Sequence, residues 1–370
     1  MHPPLDRKDS HLRLALEEEV EFPEDDASGF AALRLDHDAL PELDLEEVDP
    51  STTLLGRRLA APLLVGAMTG GTPRAGEMNR RLALAAARCG IGLGLGSQRK
   101  MLEDPGTRAT YAVREVAPDL PLLLGNLGAV QLQYGVGLED LRALVAAVGA
   151  DALSLHLNPL QEAVQPGGDT RFSGLLERVR AVAPAVGVPV LLKEVGAGIS
   201  ETTALKIRDL PVAGVETAGV GGTSWAHIES LRTADPIQRA VGERFARWGI
   251  PTAESVAICR RVLPDRIVVA SGGIRSGIDA AKALALGADA VAVALPILRA
   301  AERSVDDAVT AIRVLVAELR TAMFLVGART VGDLRARPPS RRRDLTCEPR
   351  EKQRGRRPPR PRRRGAPTRW

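Results

Sequence analysis

The chain has 370 residues, of which 45% are hydrophobic and only 3% are aromatic. This length and a composition rich in Ala, Val, Leu and Gly suit one large α/β domain. The three cysteines, Cys89, Cys259 and Cys347, are far apart and form no CxxC pair, so the sequence indicates neither a disulfide framework nor a zinc site. The chain contains no apolar run of signal-peptide or membrane-span length, so we expect a cytoplasmic protein without a membrane partner.

The net charge of +4 is unevenly distributed along the chain. Residues 338–370 carry twelve Arg and one Lys against three acidic residues, a balance of +10, which leaves −6 for residues 1–337. We therefore expect a folded domain over 1–337 and a disordered Arg/Pro-rich tail over 338–370. We expect no nucleic-acid partner, although the charge of the tail keeps nucleic-acid binding as an alternative.

Eight short apolar runs recur at regular intervals and predict strands that are buried on both faces. They are Pro62–Met68, Gly90–Leu95, Leu120–Leu127, Ala152–Leu157, Val188–Glu194, Gly214–Ala218, Arg266–Ser271 and Ala290–Leu295.

Amphipathic stretches between these runs predict helices. They are Glu77–Arg88, Leu138–Val148, Phe172–Val182, Glu201–Leu210, Thr252–Leu263, Gly277–Leu286 and Val305–Val326. This alternation predicts an α/β fold of the (β/α)₈ TIM-barrel type, and a doubly wound open sheet is the alternative.

Two segments depart from the repeat. Residues 1–60 precede the first run, and we expect them to form an N-terminal flap or short outer strands. Residues 224–251 are an insertion in the sixth unit that contains Trp225 and Trp248. Because loops at one face of a barrel carry its function, this insertion is expected to shape a substrate pocket.

The seventh and eighth runs are followed by glycine-rich segments. The segment Ala270-Ser-Gly-Gly-Ile-Arg275 precedes a predicted helix, and Gly287–Leu295 follows that helix. Glycines allow backbone N–H groups to approach an anion, and a helix N-terminus favours negative charge. This pair of strands is the usual phosphate site of barrel enzymes, so we predict phosphate binding here rather than turns needed only for packing.

The fourth and fifth runs end in polar and charged residues. His156, Asn158, Gln161 and Glu162 lie within seven residues, and Glu162 is an oxygen donor suited to Mg²⁺. Lys193 closes the fifth run and is expected to point into the barrel mouth. It can stabilise a reduced flavin, form a Schiff base, or pair with the adjacent Glu194, and the spacing alone does not decide between these roles.

Small and hydrogen-bonding residues follow the other strands, at Ala67–Gly71, Gly96–Arg99, Gly125-Asn126 and Gly219–Trp225. Such a rim suits a flat ring lying across the barrel mouth. The Gly92-x-Gly94-x-Gly96 pattern has the wrong spacing for a dinucleotide fold. Arg7, Lys8 and His11 form a basic cluster that can bind phosphate only if the N-terminal segment folds back over the barrel.

Taken together, these motifs resemble the type 2 isopentenyl-diphosphate isomerases. The resemblance spans about residues 5–330, and its most specific element is His156-x-Asn158-x-x-Gln161-Glu162. The other matching elements are Arg7-Lys8-Asp9 with His11, Met68–Gly71, Gly96–Arg99, Lys193, Gly221–Trp225 and Ser271–Arg275. The tail has no counterpart in the family pattern.

The resemblance implies an enzyme that interconverts isopentenyl and dimethylallyl diphosphate with reduced FMN and Mg²⁺, NADPH reducing the flavin. It also implies a homo-oligomer, either a tetramer or an octamer. By position, FMN would be bound by Ala67, Met68, Thr69, Ser97, Asn126, Lys193, Thr223, Gly273, Ile274, Arg275, Ala294 and Leu295. The prenyl diphosphate would be bound by Arg7, Lys8, His11, Ser97, Gln98, Arg99, His156, Asn158 and Gln161, and Mg²⁺ by Glu162. The implied catalytic residues are Gln161, Lys193 and His156.

Two other functions fit parts of the sequence. A flavin oxidoreductase of the 2-hydroxy-acid oxidase type would need a His base late in the barrel. No His follows His227, and the corresponding region reads Ser271-Gly-Gly-Ile-Arg275, which argues against that function. The other alternative is a non-catalytic barrel or a nucleic-acid-binding protein that acts through the Arg-rich tail.

Overall fold

The computed structural model describes residues 7–22 and 27–341, except for the side chain of Arg7. In these ranges the strands are β1 Leu33–Arg34, β2 Thr52–Leu54, β3 Arg57–Leu59, β4 Leu63–Val65, β5 Gly92–Gly94, β6 Leu123–Gly128, β7 Ala152–Leu157, β8 Val190–Glu194, β9 Gly214–Glu216, β10 Ile267–Ser271, β11 Ala290–Val293 and β12 Ser340–Arg341. The helices are α1 Arg7–Glu17, α2 Pro73–Cys89, α3 Arg99–Glu103, α4 Leu138–Val148, α5 Pro159–Val164, α6 Leu175–Val182, α7 Glu201–Arg208, α8 Trp225–Arg232, α9 Pro236–Phe245, α10 Thr252–Val262, α11 Gly277–Ala285, α12 Leu295–Arg303, α13 Val305–Leu325 and α14 Val331–Arg335.

Strands β4 to β11 form a closed parallel barrel in chain order, and β11 pairs with β4 to complete it. Each barrel strand overlaps one of the eight predicted runs, so the (β/α)₈ prediction is confirmed and the open doubly wound sheet is excluded. The strands are short and almost wholly buried because helices cover their outer faces and side chains fill the interior.

The lower end of the barrel is closed by the β2–β3 hairpin, which lies within the predicted N-terminal flap. Leu54 and Leu59 of the hairpin are buried against interior residues of the barrel strands, including Leu64, Leu122 and Leu191. Plugging the amino ends of the strands in this way leaves the carboxyl ends as the open face, where barrel enzymes bind ligands.

All seven predicted helices are present, with ends shifted by a few residues. Side-chain caps explain where several of these helices begin. Ser276 accepts a hydrogen bond from Asp279 N at the beginning of α11, and Thr72 does the same for Ala75 N in α2. The glycine at position 90 ends α2 in the left-handed conformation, with φ of 64°.

The N-terminal segment was expected to be a flap or short strands, and it also contains the helix α1. Leu12 and Leu14 of α1 are buried, so the helix packs against the barrel. Backbone hydrogen bonds then join the segment to the sixth loop, from Phe22 N to Gly222 O and from Ser224 N to Val20 O. The segment therefore lies over the open face.

The predicted boundary of the tail is partly wrong. β12 pairs antiparallel with β1, and Ser340 Oγ donates to Asp36 Oδ1 over 3.3 Å. Residues 338–341 therefore belong to the folded part, whereas the rest of the predicted tail, 342–370, lies outside the described residues. Among the helices that the structure describes, none has the long apolar run needed to cross a bilayer.

Candidate active site

A cavity of about 200 Å³ opens at the carboxyl ends of the barrel strands. Residues from the N-terminal helix, the strand ends and the insertion helix α8 line it together. The predicted residues on its wall are Lys8, His11, Ala67, Met68, Thr69, Ser97, Arg99, Asn126, His156, Asn158, Gln161, Glu162, Lys193, Thr223, Gly273, Ile274, Arg275, Ala294 and Leu295. Residues predicted from separate motifs thus converge on one cavity.

One side of the cavity, which we call the glycine cradle, consists of Gly222, Gly272 and Gly273. Gly272 and Gly273 have φ values of +99° and +70°, and a Cβ on either would approach the backbone of Gly219 or Gly221 within 2.2 and 2.6 Å. Only glycine fits these two positions, because a side chain would be both strained and in collision. The backbone, rather than side chains, consequently forms this wall.

The glycine cradle adjoins a helix start that has no side-chain cap. Ala294 precedes α12 and forms no capping hydrogen bond, in contrast to Ser276 at the start of the neighbouring α11. Thr69 Oγ1, also on the cavity wall, is buried and has no partner among the described residues. A glycine-built wall, an uncapped helix N-terminus and a hydroxyl without a partner fit a phosphate-bearing cofactor such as FMN.

Lys193, at the end of β8, points into the cavity and forms a buried ion pair with Glu216 of β9. Ser271 Oγ also donates to Glu216 Oε1 over 2.8 Å. The suggested pairing of Lys193 with Glu194 is therefore wrong, because adjacent residues of a strand point to opposite faces. Glu194 instead accepts hydrogen bonds from the N–H groups of residues 195, 196 and 197, and burial raises its pKa to about 7.

His156 is neutral in this site. Burial, together with the charges of Lys8 and Lys193, lowers its pKa to about 3. Asn126 Nδ2 donates to Leu95 O over 2.9 Å, which leaves Asn126 Oδ1 to accept from His156 Nδ1 at 2.8 Å. From this assignment the Nδ1 atom carries the proton, and Nε2 offers a lone pair.

Glu162 is buried opposite the glycine cradle and is held by three donors. Oε1 accepts from Asn158 Nδ2 at 2.9 Å, and Oε2 accepts from Gln165 Nε2 at 3.1 Å and from the backbone N–H of Asp169 at 2.7 Å. Asn158 Oδ1 is buried without a partner within the described residues. A carboxylate with a spare lone pair beside an orphaned amide oxygen fits a hard cation or its water ligands.

A second carboxylate, Glu229 of α8, links α1 to the polar cluster of β7. Its Oε1 lies 3.0 Å from His11 Nε2 and accepts from Gln161 Nε2 at 3.3 Å, while Oε2 accepts from Arg232 Nε at 2.8 Å. Burial opposes the charge on Glu229, but His11 and Arg232 outweigh burial and lower its pKa. Burial also lowers the pKa of His11, and the contact with Glu229 opposes that shift.

Gln98 is the one described residue of the predicted set that does not line the cavity. Its side chain is fully buried, with Oε1 accepting from Asn126 N at 2.9 Å and Nε2 donating to Leu144 O at 3.3 Å. It supports the strand that carries Asn126 rather than facing a ligand. The side chain of Arg7 lies outside the described residues.

The structure adds two acidic residues that the sequence reasoning missed. Glu216 is the last residue of β9 and lies inside the predicted sixth run, so reading the charged residues of each run, as was done for Lys193, would have found it. Glu229 lies four residues after Trp225 in α8 and therefore on the same face of the helix as Trp225. That signal could be recognised only once the insertion was known to be helical.

The fold and the cavity define this chain as a (β/α)₈-barrel enzyme of the FMN-binding class. The family model described as FMN-dependent dehydrogenase matches residues 159–339, which supports FMN as the cofactor.

Curated relatives make the identification more specific. The chain is 51% identical over 318 residues to an isopentenyl-diphosphate delta-isomerase of Synechococcus sp., covering 86% of this chain and 91% of the relative. It is 46% identical over 332 residues to the enzyme of the same name from Stutzerimonas stutzeri, covering 90% and 95%. The chain belongs to the isopentenyl-diphosphate delta-isomerase family and is an isomerase.

Solved structures of mandelate oxidase share the fold at low sequence identity. One that holds a monooxide FMN adduct has a TM-score of 0.63 at 20% identity, covering 89% of this chain and 98% of that chain. Another, a complex with benzaldehyde, has a TM-score of 0.61 at 20% identity and covers 87% and 92%. This likeness concerns the fold alone.

Proposed function

We propose that this chain converts isopentenyl diphosphate to dimethylallyl diphosphate, using reduced FMN and Mg²⁺ without net redox change. The observation that carries the proposal is the shared cavity, in which the glycine cradle, Lys193 and the Gln161–Glu162 pair face one another. A flavin phosphate and a substrate diphosphate both need anion sites, and two such sites lie on opposite sides of this cavity.

FMN fits the side built by β10 and β11. The backbone N–H groups of Gly272, Gly273 and Leu295 would hold its phosphate, and Arg275 adds a positive charge. Lys193 would lie beside the ring, where its charge, fixed by Glu216, stabilises an electron-rich ring. Reduced FMN, when bound, would supply acid and base chemistry at the alkene.

Mg²⁺ fits the opposite side for electrostatic reasons. Three cationic side chains of the wall, Lys193, Arg99 and Arg275, are each already paired with a carboxylate. Because these charges are partly neutralised, Lys8 and Arg99 would leave part of the charge of a diphosphate unmatched. No group of three or more His, Cys, Asp or Glu side chains among the described residues could hold a metal alone, so Glu162 would share the ion with phosphate oxygens and water.

The diphosphate would be bound by Lys8 and Arg99, which enter the cavity from α1 and α3. Binding energy from the diphosphate would position the alkene, which has no polar atoms through which the protein could hold it. His156 would use its Nε2 lone pair to accept a hydrogen bond, because a neutral imidazole with the proton on Nδ1 cannot donate at Nε2.

Gln161 would orient the substrate rather than deliver a proton. Asn158 donates to its Oε1 over 3.1 Å and its Nε2 donates to Glu229, so both ends of the amide are fixed. Leu12, Trp225, Ile228 and Leu298 supply apolar walls that exclude water from a cationic transition state. These residues hold and desolvate the alkene while the proton moves.

Reduction of the flavin by NADPH and assembly into a homo-oligomer are parts of this proposal that rest on the resemblance of the sequence motifs. The proposal is tested by incubating FMN-loaded protein with isopentenyl diphosphate and Mg²⁺ under anaerobic conditions, with and without dithionite. We expect acid-labile allylic diphosphate only in the reduced sample. Equal product with oxidised flavin, or none in either sample, would reject the proposal.

A further inference from the structure

The loop after α5, residues 165–169, folds back onto the helix that carries Glu162. Glu162 Oε2 accepts from Gln165 Nε2 and from the backbone N–H of Asp169. A Cβ on Gly168 would lie 2.0 Å from the carbonyl oxygen of Glu162, so no residue other than glycine fits at this position of the loop. The loop is thus fixed against the carboxylate proposed to hold the metal.

The side chain of Asp169 turns the other way, toward the residues proposed to bind the diphosphate. It forms an ion pair with Arg99, and its Oδ2 also accepts from Gln131 Nε2 at 2.8 Å. Arg99 and Gln131 line the cavity, and Asp169 lies behind them. One residue therefore contacts Glu162 through its backbone and Arg99 through its carboxylate.

We infer that Asp169 is a positioning residue, which orients the guanidinium of Arg99 toward the substrate diphosphate and fixes the position of Arg99 relative to Glu162. This inference rests on the proposed function, because it assigns a support to the diphosphate and metal ligands of the same site. Nothing in Asp169 touches the reacting atoms, so its effect must be transmitted through Arg99.

The surroundings of Arg99 explain why Asp169, and not its other partner, does this. Glu103 also pairs with Arg99, from its Oε1 to Nε over 2.8 Å, but its side chain is 49% exposed whereas that of Asp169 is 14% exposed. Exposed ion pairs contribute little, since water screens the charges and both side chains lose rotamer freedom. Asp169 is also held in place by Gln131, which is itself buried.

The test compares Asp169→Asn with Glu103→Gln, each of which removes one carboxylate from the same guanidinium. Inorganic pyrophosphate is titrated calorimetrically into FMN-loaded protein at fixed Mg²⁺, and KM and kcat are measured with isopentenyl diphosphate. We expect Asp169→Asn to weaken pyrophosphate binding and raise KM about tenfold while kcat changes little. Glu103→Gln should stay within about twofold of the unmodified chain.

The Mg²⁺ titration separates the two contacts of Asp169. Asn keeps the backbone N–H that Glu162 accepts, so the Mg²⁺ concentration for half-maximal rate should not change. In an Arg99→Ala background, Asp169→Asn should add no further loss of pyrophosphate affinity. An equal loss in both backgrounds, or no loss in the single variant, overturns the inference.

Thermal denaturation of each variant checks that it is folded. If Asp169→Asn yields no folded protein, Asp169→Ser removes the same charge, keeps the same N–H, and carries the same expectations. Failure of the unmodified chain to bind pyrophosphate or to isomerise would reject the proposed function itself. Normal activity with unaltered pyrophosphate binding in the variants would reject only the role of Asp169.

Discussion

The two walls of the cavity are built by different means. The glycine cradle, in the loops after β9 and β10, is a wall of backbone, and its shape depends on positions where only glycine fits. The opposite wall depends on side chains from α1, α5 and α8 that fix one another, as in the contacts of Glu229 with His11 and Gln161. The first wall joins two glycine-rich loops about 50 positions apart, whereas the second brings together side chains more than 200 positions apart.

This difference teaches how each wall can fail. Added volume should damage a backbone wall, because nothing there can rotate away. A side-chain wall should respond to the loss of a charge or a donor, because each member holds its neighbours. The following changes separate these two kinds of dependence.

The largest effect is expected from Gly273→Ala. The new Cβ would lie 2.6 Å from the backbone of Gly221, so the cradle must shift and FMN should bind about 100-fold more weakly. The matched control is Gly135→Ala, since Gly135 also has a positive φ, +98°, but nothing within 4 Å of the added Cβ. Flavin fluorescence quenching measures both affinities, and equal losses would show that strain alone is responsible.

Glu162→Gln should have the next largest effect. The amide keeps the size of the side chain but removes the charge facing the cation, so the Mg²⁺ concentration for half-maximal rate should rise about 10- to 100-fold. FMN affinity should not change, because Glu162 belongs to the other wall. As a control, Glu139→Gln alters a side chain that is 82% exposed. An unaltered Mg²⁺ titration would remove Glu162 from the metal site.

We expect His156 to make the free energy of unfolding moderately dependent on pH. Its folded-state pKa, about 3, lies below the ordinary value of 6.5, so the unfolded chain binds more protons between these values. The free energy of unfolding should therefore fall as pH drops through this window, by up to about 1.4 kcal/mol per pH unit from this residue. Above pH 6.5 the contribution is constant.

The His156 prediction is checked by urea denaturation from pH 4 to pH 7. His156→Gln should show a shallower decline in unfolding free energy than the unmodified chain, whatever its absolute stability. Replacing the exposed His37 by Gln provides the control. A decline of unchanged steepness in His156→Gln would mean that other groups cause the acid sensitivity.

The smallest effect is expected from removing residues 342–370. Ser340 and Arg341 should be kept, because they pair with β1. Both walls lie within the described part of the chain, so FMN affinity and the isomerisation rate should stay within about twofold of the full chain. A large loss of either would revive the alternative in which the basic tail carries the function.

The barrel was predictable from the sequence because its strands are continuous apolar runs whose order along the chain is also their order in the sheet. The glycine cradle was predictable for a related reason, since its glycines lie in short segments after two consecutive strands. Local patterns sufficed wherever neighbours in sequence are neighbours in space.

The opposite wall was less accessible from sequence. In α1 the leucines at 12, 14 and 16 recur every second residue, a spacing typical of a strand, and it conceals the helix. Helices α3 and α5 have only five and six residues, too few for a helical period to emerge. The ion pairs and hydrogen bonds of Glu216 and Glu229 join segments that are distant in the sequence, so no local sequence pattern predicts them.

The central claim is that isopentenyl diphosphate is isomerised in this cavity with the help of reduced flavin and without net redox change. The most direct measurement records the flavin absorbance and the proton NMR spectrum together, during anaerobic turnover of isopentenyl diphosphate with Mg²⁺ in D₂O. The account predicts deuterium-labelled dimethylallyl diphosphate while the flavin spectrum stays that of the reduced form. Absence of labelled product, with bleaching of the oxidised flavin by a 2-hydroxy acid instead, would contradict it.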